Sequence, residues 1–343
     1  MRSPVAGCRL AAVTRIAYLL TSASQMTLDD GSAHPTGYFA RETIEPYERF
    51  VAAGFDLVVI TPEGRPPHAD PYGLSWFFHY PAADNDFLAS VVRTFARDVD
   101  DIRFTLHQNT ELGLAAARRV AALLPPSDAH GIVSAAARRA WREDRQFVDA
   151  LLEDERLALT REELEHQVRA QRADSEALAT ERFERLKALP APVALSDVDP
   201  ADFDAVFAPG GHGPMVDMAE NHDAGRLLAE LQERGAPIAA LGHGPALLLS
   251  APERADGLWL FDGYRMTCFT DEEELQTEVG RLGPAWFLDT ALKNAGAVFD
   301  DGPTAWASHV VVDRNLITGQ NPGSTEATAE AFVRMLTRAA VAT

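Results

Sequence analysis

The sequence predicts an α/β protein, a three-layer sandwich around a mainly parallel sheet, interrupted by a helical insert. Three observations carry this. Apolar runs of strand length at 15–22, 55–61, 205–208 and 237–241 alternate with segments of helical periodicity, as expected of strands covered on both faces. Residues 203–252 join two of these runs through a Gly-rich turn and an amphipathic helix, then pass through the very sharp turn Gly242-His243-Gly244-Pro245 into a further apolar helix, a βαβα unit. Between 85 and 189 the texture changes to long Ala/Arg/Glu/Leu-rich segments with few β-branched residues.

In chain order, residues 1–13 lack periodicity and are expected to form a loose arm. Residues 15–22 are the first strand, and 25–36 a polar loop. A helix follows with Glu42 just inside its start, apolar positions Tyr47, Phe50 and Val51, and Gly54 as its C-cap. Strand 55–61 runs into an irregular loop at 62–72, on the sheet edge where doubly wound folds hold ligands. The insert is expected to contain helices over 85–97, 111–124, 131–140, 144–159 and 160–188, the last opened by a Thr160/Glu163 capping box. The α/β core is thus assigned to 14–84 and 190–343, and the insert to 85–189 as a lid, cap or dimer contact. Beyond the βαβα unit come a short strand at 263–269 and an acidic run at 271–274 that suits a helix N-terminus. A helix over 286–294 ends at Gly296, strands 310–313 and 316–319 flank a turn, and a last helix follows residues 320–324.

A chain of 343 residues that is 46% hydrophobic can bury a full core. Its formal charge of −20 argues against nucleic acid and anionic membrane, which reward clustered cations. A small-molecule substrate is the expected partner. The two cysteines, Cys8 and Cys268, have no ligand spacing, and the cytoplasm is the expected compartment. No apolar run reaches the roughly 20 residues of a membrane-spanning helix. His68, His79, His107 and His130 lack metal-site spacing, and no dinucleotide or P-loop motif is present, so no cofactor and no metal are expected.

A strand that turns sharply into a helix is how α/β enzymes present a nucleophile. In such an elbow the residue before His243 is the nucleophile, and here it is Gly242.

The stretches 36–64, 202–218 (DFDAVFAPGGHGPMVDM), 242–249 (GHGPALLL), 267–274 (TCFTDEEE) and 316–329 (LITGQNPGSTEATA) together resemble the ThiJ/PfpI superfamily of class I glutamine amidotransferase-like folds. Within it they are similar to the large branch of heat-shock chaperones with glutathione-independent glyoxalase III activity. The resemblance covers about two thirds of the chain and implies a flavodoxin-like sheet and a homodimer. The family's site is a Cys-His pair in the elbow with a nearby Glu. Carried over, the His falls on His243, the Glu on Glu42 and the Cys on Gly242. The Gly210-Gly211-His212-Gly213 loop takes the place of the family's oxyanion contacts, Gly244 completes the turn, and Thr270 and Asn321 stand behind the site.

Glycine cannot attack a carbonyl, so covalent thiol chemistry at residue 242 is excluded. Three readings follow. The first is a cofactor-free enzyme using Glu42 and His243 as acid and base on a small carbonyl compound, in a lyase, hydratase, isomerase or cyclisation step, within a pocket enlarged by loss of the thiol. The second is an inactive pseudoenzyme that binds or chaperones. The third retains glyoxalase-like activity with a relocated nucleophile, Cys268.

Overall fold

The computed structural model describes residues 13–74, 119–120, 123–143, 145–158, 160–303 and 305–342. The expected helix over 85–97 and most of that over 111–124 lie outside them, as do His79, His107 and nearly all of the N-terminal arm.

The strands are β1 (Arg15–Leu19), β2 (Gln25–Thr27), β3 (Ala33–Pro35), β4 (Asp56–Thr61), β5 (Val193–Ala194), β6 (Ala205–Ala208), β7 (Ile238–Leu241), β8 (Arg265–Met266), β9 (Val298–Phe299), β10 (Val310–Asp313) and β11 (Leu316–Gly319). The helices are α1 (Ala40–Ala52), α2 (Pro126–Arg142), α3 (Phe147–Leu152), α4 (Arg161–Lys187), α5 (Pro214–Asp217), α6 (His222–Glu233), α7 (Asp271–Glu274), α8 (Glu278–Leu282), α9 (Leu288–Ala295) and α10 (Thr325–Ala342). Seven strands form one sheet in the order β10-β11-β7-β6-β1-β4-β5. All its pairings are parallel except the β10–β11 hairpin.

Alternation along the strands explains the layers. In β1, β6 and β7, Ala17, Leu19, Val206, Ala208, Ile238 and Ala240 face one side and pack with Leu227 and Leu228 of α6 and Leu288 and Leu292 of α9. Ile16, Tyr18, Ala205, Phe207, Ala239 and Leu241 face the other, against Phe50 of α1 and Phe332 and Leu336 of α10. Both faces are covered, so these strands read as continuous apolar runs. The chain leaves β1 toward β4 and later returns to β6 on β1's other side, which makes the carboxyl ends of β1 and β6 the topological switch point.

Several elements differ from expectation for local reasons. Val51 is 51% exposed although Phe50 beside it is fully buried, because the stripe of α1 that meets the sheet is narrower than its apolar run. The loop 25–36 contains the β2–β3 hairpin. The helix expected over 144–159 shortens to α3 and a 3-10 turn ending at Ala158, whose φ is +46°. The strand expected over 263–269 shrinks to two residues paired with β9, outside the main sheet. After the sharp turn the chain runs as a 3-10 segment, Gly244–Ser250, in place of an α-helix.

Within 119–189 the described chain is helical. Most of its buried apolar residues, among them Ile132, Phe147, Leu151 and Leu164, form a cluster separate from the sheet's, while Leu186 packs with Tyr38, Ala40 and Ile44. The Thr160/Glu163 capping box opens α4 as expected. Near its other end α4 reaches α1 through the ion pairs Arg182–Glu45 and Arg185–Glu48.

Candidate active site

The first turn of α1 places Glu42 over the carboxyl ends of β1, β6 and β7, where it is 2% exposed. Its Oε2 accepts a 2.9 Å hydrogen bond from the Gly210 amide, 168 residues away. Gly242 stands at the end of β7 with φ +59°. A Cβ built there would lie 2.7 Å from Glu42 Oε2 and 2.9 Å from Oε1. The expected enlargement of the pocket is therefore corrected: the Glu42 carboxyl lies against residue 242, where the first atom of a side chain would stand. Glycine suits the position twice, because a side chain would also pay the left-handed backbone cost.

His243 follows, buried, with its ring centroid 4.7 Å from that of Phe269. Its Nε2 lies 2.6 Å from Glu274 Oε2. His212, carried by the Gly210-Gly211 turn, brings its Nε2 to 3.0 Å from Glu274 Oε1, and the two imidazoles are 4.2 Å apart. Its Nδ1 lies 3.8 Å from the Asp70 carboxylate. Thr277 donates a further hydrogen bond to Glu274 Oε1 at 2.8 Å. One buried carboxylate thus bridges two buried histidines.

The acidic run resolves into two roles. Thr270 opens the single turn of α7 in a capping box with Glu273. Asn321, Gln320 and the Trp306 amide also donate to Glu273 Oε1. Glu273 is thereby a structural anchor, and Thr270 and Asn321 both hold it. The next residue, Glu274, points to the histidines instead.

Sequence reasoning placed Glu42, His212 and His243 at one site, and the fold brings them together with Gly210, Gly211, Gly242 and Gly244 in the turns around them. It missed Glu274, which reads as a partner for a helix dipole, and Asp70, which lies in the loop singled out after β4. The Gly210 amide, expected to contact an oxyanion, is spent on Glu42.

The charges follow from burial and partners. Burial pushes the Glu42 carboxyl up to about 8, against the pull of the Gly210 amide and Arg41. For His212, burial opposes charging, but Glu274 and Asp70 outweigh it and raise the group to about 10. Burial and the positive charge of His212 hold His243 below its ordinary value. Burial also works against the Glu274 anion, yet the two histidines keep it far below the carboxylate range. At neutral pH this describes an ionised Glu274 between a cationic His212 and a neutral His243, beside a mostly protonated Glu42.

His212, His243 and Glu274 also offer three donor atoms within 4.8 Å of one another. A metal ion would have to displace the hydrogens that already join both imidazoles to Glu274. As it stands, the group is a hydrogen-bonded His–Glu–His array.

Cys268 is fully buried, its thiol donates to the Phe269 carbonyl, and burial pushes its pKa well above the ordinary value. The relocated-nucleophile reading fails here, because thiolate is the reactive form. Cys268→Ala is expected to leave any turnover within about twofold of wild type and to cost about 1 kcal/mol of stability, as parallel rate and urea-unfolding measurements would register.

A sequence model described as the DJ-1/PfpI family matches residues 158–335, just over half of the 343-residue chain. Bovine glutamine amidotransferase-like class 1 domain-containing protein 1 is 37% identical over 141 residues, 41% of this chain and 63% of that protein. Glyoxalase 3 of Candida albicans is 30% identical over 138 residues, 39% of this chain and 58% of that protein. The matched region thus spans less than two thirds of either relative. The crystal structure of glyoxalase III from Candida albicans superposes with a TM-score of 0.55 at 19% identity, covering 94% of this chain and 96% of that one, and shows a shared fold. Among the described residues no helix is long and apolar enough to cross a membrane.

Proposed function

The chain belongs to the DJ-1/PfpI family, and from that premise we propose that it converts small 2-oxoaldehydes to 2-hydroxy acids without a thiol, using Glu42 as the proton shuttle. The observation that carries the reading is Glu42 itself, a buried carboxyl titrating near 8 and seated against residue 242. Such a group is available as both acid and base at working pH. Relatives named as glyoxalases support the substrate class.

The chemistry balances without a covalent adduct. A 2-oxoaldehyde in water is largely its C1 hydrate, which replaces the thiol adduct of a cysteine enzyme. Glu42 as carboxylate removes the C1 proton to give an enediolate, then returns a proton to C2 to give the hydroxy acid. The aldehyde carbon is oxidised and the neighbouring carbonyl carbon reduced within one molecule, and water enters only at hydration. His212, held cationic, supplies positive charge where negative charge develops, and the His243–Glu274 pair fixes the polarity around it.

The test is direct. The purified chain, supplied with methylglyoxal or phenylglyoxal and no added thiol, is expected to form the corresponding hydroxy acid, followed by proton NMR. The rate should be unaffected by iodoacetamide. Absence of product from both substrates overturns the reading.

A further inference from the structure

We propose that the cavity between α1, α4 and α10 is a binding site for a small oxyanion, held chiefly by Arg41. It is open to solvent on one side, has a volume of about 290 Å³ and is lined by Arg41, Glu45, Arg49, Arg182, Thr325 and Glu326, among others. At roughly 30 Å³ per water it has room for several molecules of that size. None of the residues that form the His–Glu–His array belongs to it.

Arg41 is the feature that asks for a ligand. Its side chain is 4% exposed, and it gives one hydrogen bond, from Nε to Glu45 Oε2 at 3.2 Å. Among the described residues neither Nη group, four N–H donors in all, has a hydrogen-bond acceptor. Arg182 reaches the other oxygen of the same Glu45, so a single carboxylate serves two guanidinium groups. Arg49 differs, because Glu330 and Glu326 lie 2.7 and 3.7 Å from it.

A largely buried guanidinium whose idle donors open only to a cavity gains when an acceptor there reaches them. Its planar fork matches two oxygens of a carboxylate or a phosphate. The carboxylates of Glu45 and Glu326 in the same wall disfavour a highly charged ligand. A small carboxylate or a singly charged phosphate has the right chemistry.

Titration calorimetry on the whole chain tests the site, with sodium lactate and sodium phosphate as the two probes and sodium chloride at matched ionic strength as the blank. Wild type is expected to bind at least one probe saturably. Loss of a charge-assisted pair should weaken binding about tenfold or more in Arg41→Gln. Glu45→Gln should bind more tightly, because the competing carboxylate is gone, and Arg254→Gln, at an exposed pair elsewhere, should match wild type. Response to lactate alone identifies a carboxylate site, and response to phosphate alone a phosphate site. No saturable heat from either probe overturns the proposal, as does wild-type affinity in Arg41→Gln. Should Arg41→Gln fail to fold, unchanged or weaker binding by Glu45→Gln overturns it equally.

Discussion

Glu42→Gln is expected to lose turnover at least 100-fold, the scale of a removed general acid–base group, and at the same time to be more stable than wild type at alkaline pH. The two effects share one cause. The folded protein holds the Glu42 proton up to about pH 8, whereas the unfolded chain releases it near 4.5. A carboxyl whose folded pKa is raised contributes stability that is complete below the unfolded value and is lost as pH climbs through the folded one. Each unit of that window is worth ~1.4 kcal/mol. Wild type therefore loses several kcal/mol between pH 4.5 and about 8. The glutamine variant, still able to accept the Gly210 amide, does not. Its advantage in urea unfolding should be near zero at pH 5 and grow until about pH 8, where it levels off. Parallel pH dependence in the two proteins would mean that Glu42 is not the buried proton. Unchanged turnover would remove it from the chemistry.

Glu274→Gln should be the most destabilising single change at the site, costing ~3–5 kcal/mol at pH 5–6, the range found when one partner of a buried ion pair is removed. The neutral amide leaves a buried imidazolium with only the Asp70 carboxylate, 3.8 Å away, as its counter-charge. His212 should then fall from about 10, since Asp70 alone is left to oppose burial. The pH signature separates this from simple packing loss. The contribution of Glu274, whose folded pKa is depressed, is present above the unfolded carboxylate value and lost as pH falls below it. That of His212, whose folded pKa is raised, is complete below 6.5 and lost as pH rises toward 10. The gap between wild type and variant should thus be widest between about pH 4.5 and 6.5 and narrow on both sides. Unfolding measured from pH 3 to 10 reads it, and a gap constant with pH would overturn the ion pairing of Glu274 with His212.

Much of the frame was legible in the chain. The runs that became β1, β6, β7 and β11 announce themselves because a strand buried on both faces must be apolar almost throughout, and β4 and β10 are apolar runs that are partly exposed. Glu42 was found through the family resemblance, and His243 through that resemblance and its place in a turn between glycines. Less legible were elements whose existence depends on distant partners. β8 and β9 are two residues each and exist only by pairing with one another. The segment after Gly244 was expected to be a helix, and the close approach of Gly244 to the end of β6 accompanies a tighter 3-10 winding.

The sequence by itself determined the alternation of strands and helices, the Gly-His elbow and the absence of a thiol at residue 242, because periodicity and residue identity are local properties. Only the tertiary structure decided which of four consecutive acids serves the histidines. That choice depends on the phase of one helical turn, which Thr270 caps so that Glu273 folds back and Glu274 is left free to meet His212 and His243. It also decided what lies against Gly242. The Glu42 carboxyl reaches that point from another element and titrates near 8 because packing excludes water there, a property of the assembled interior that no stretch of sequence carries.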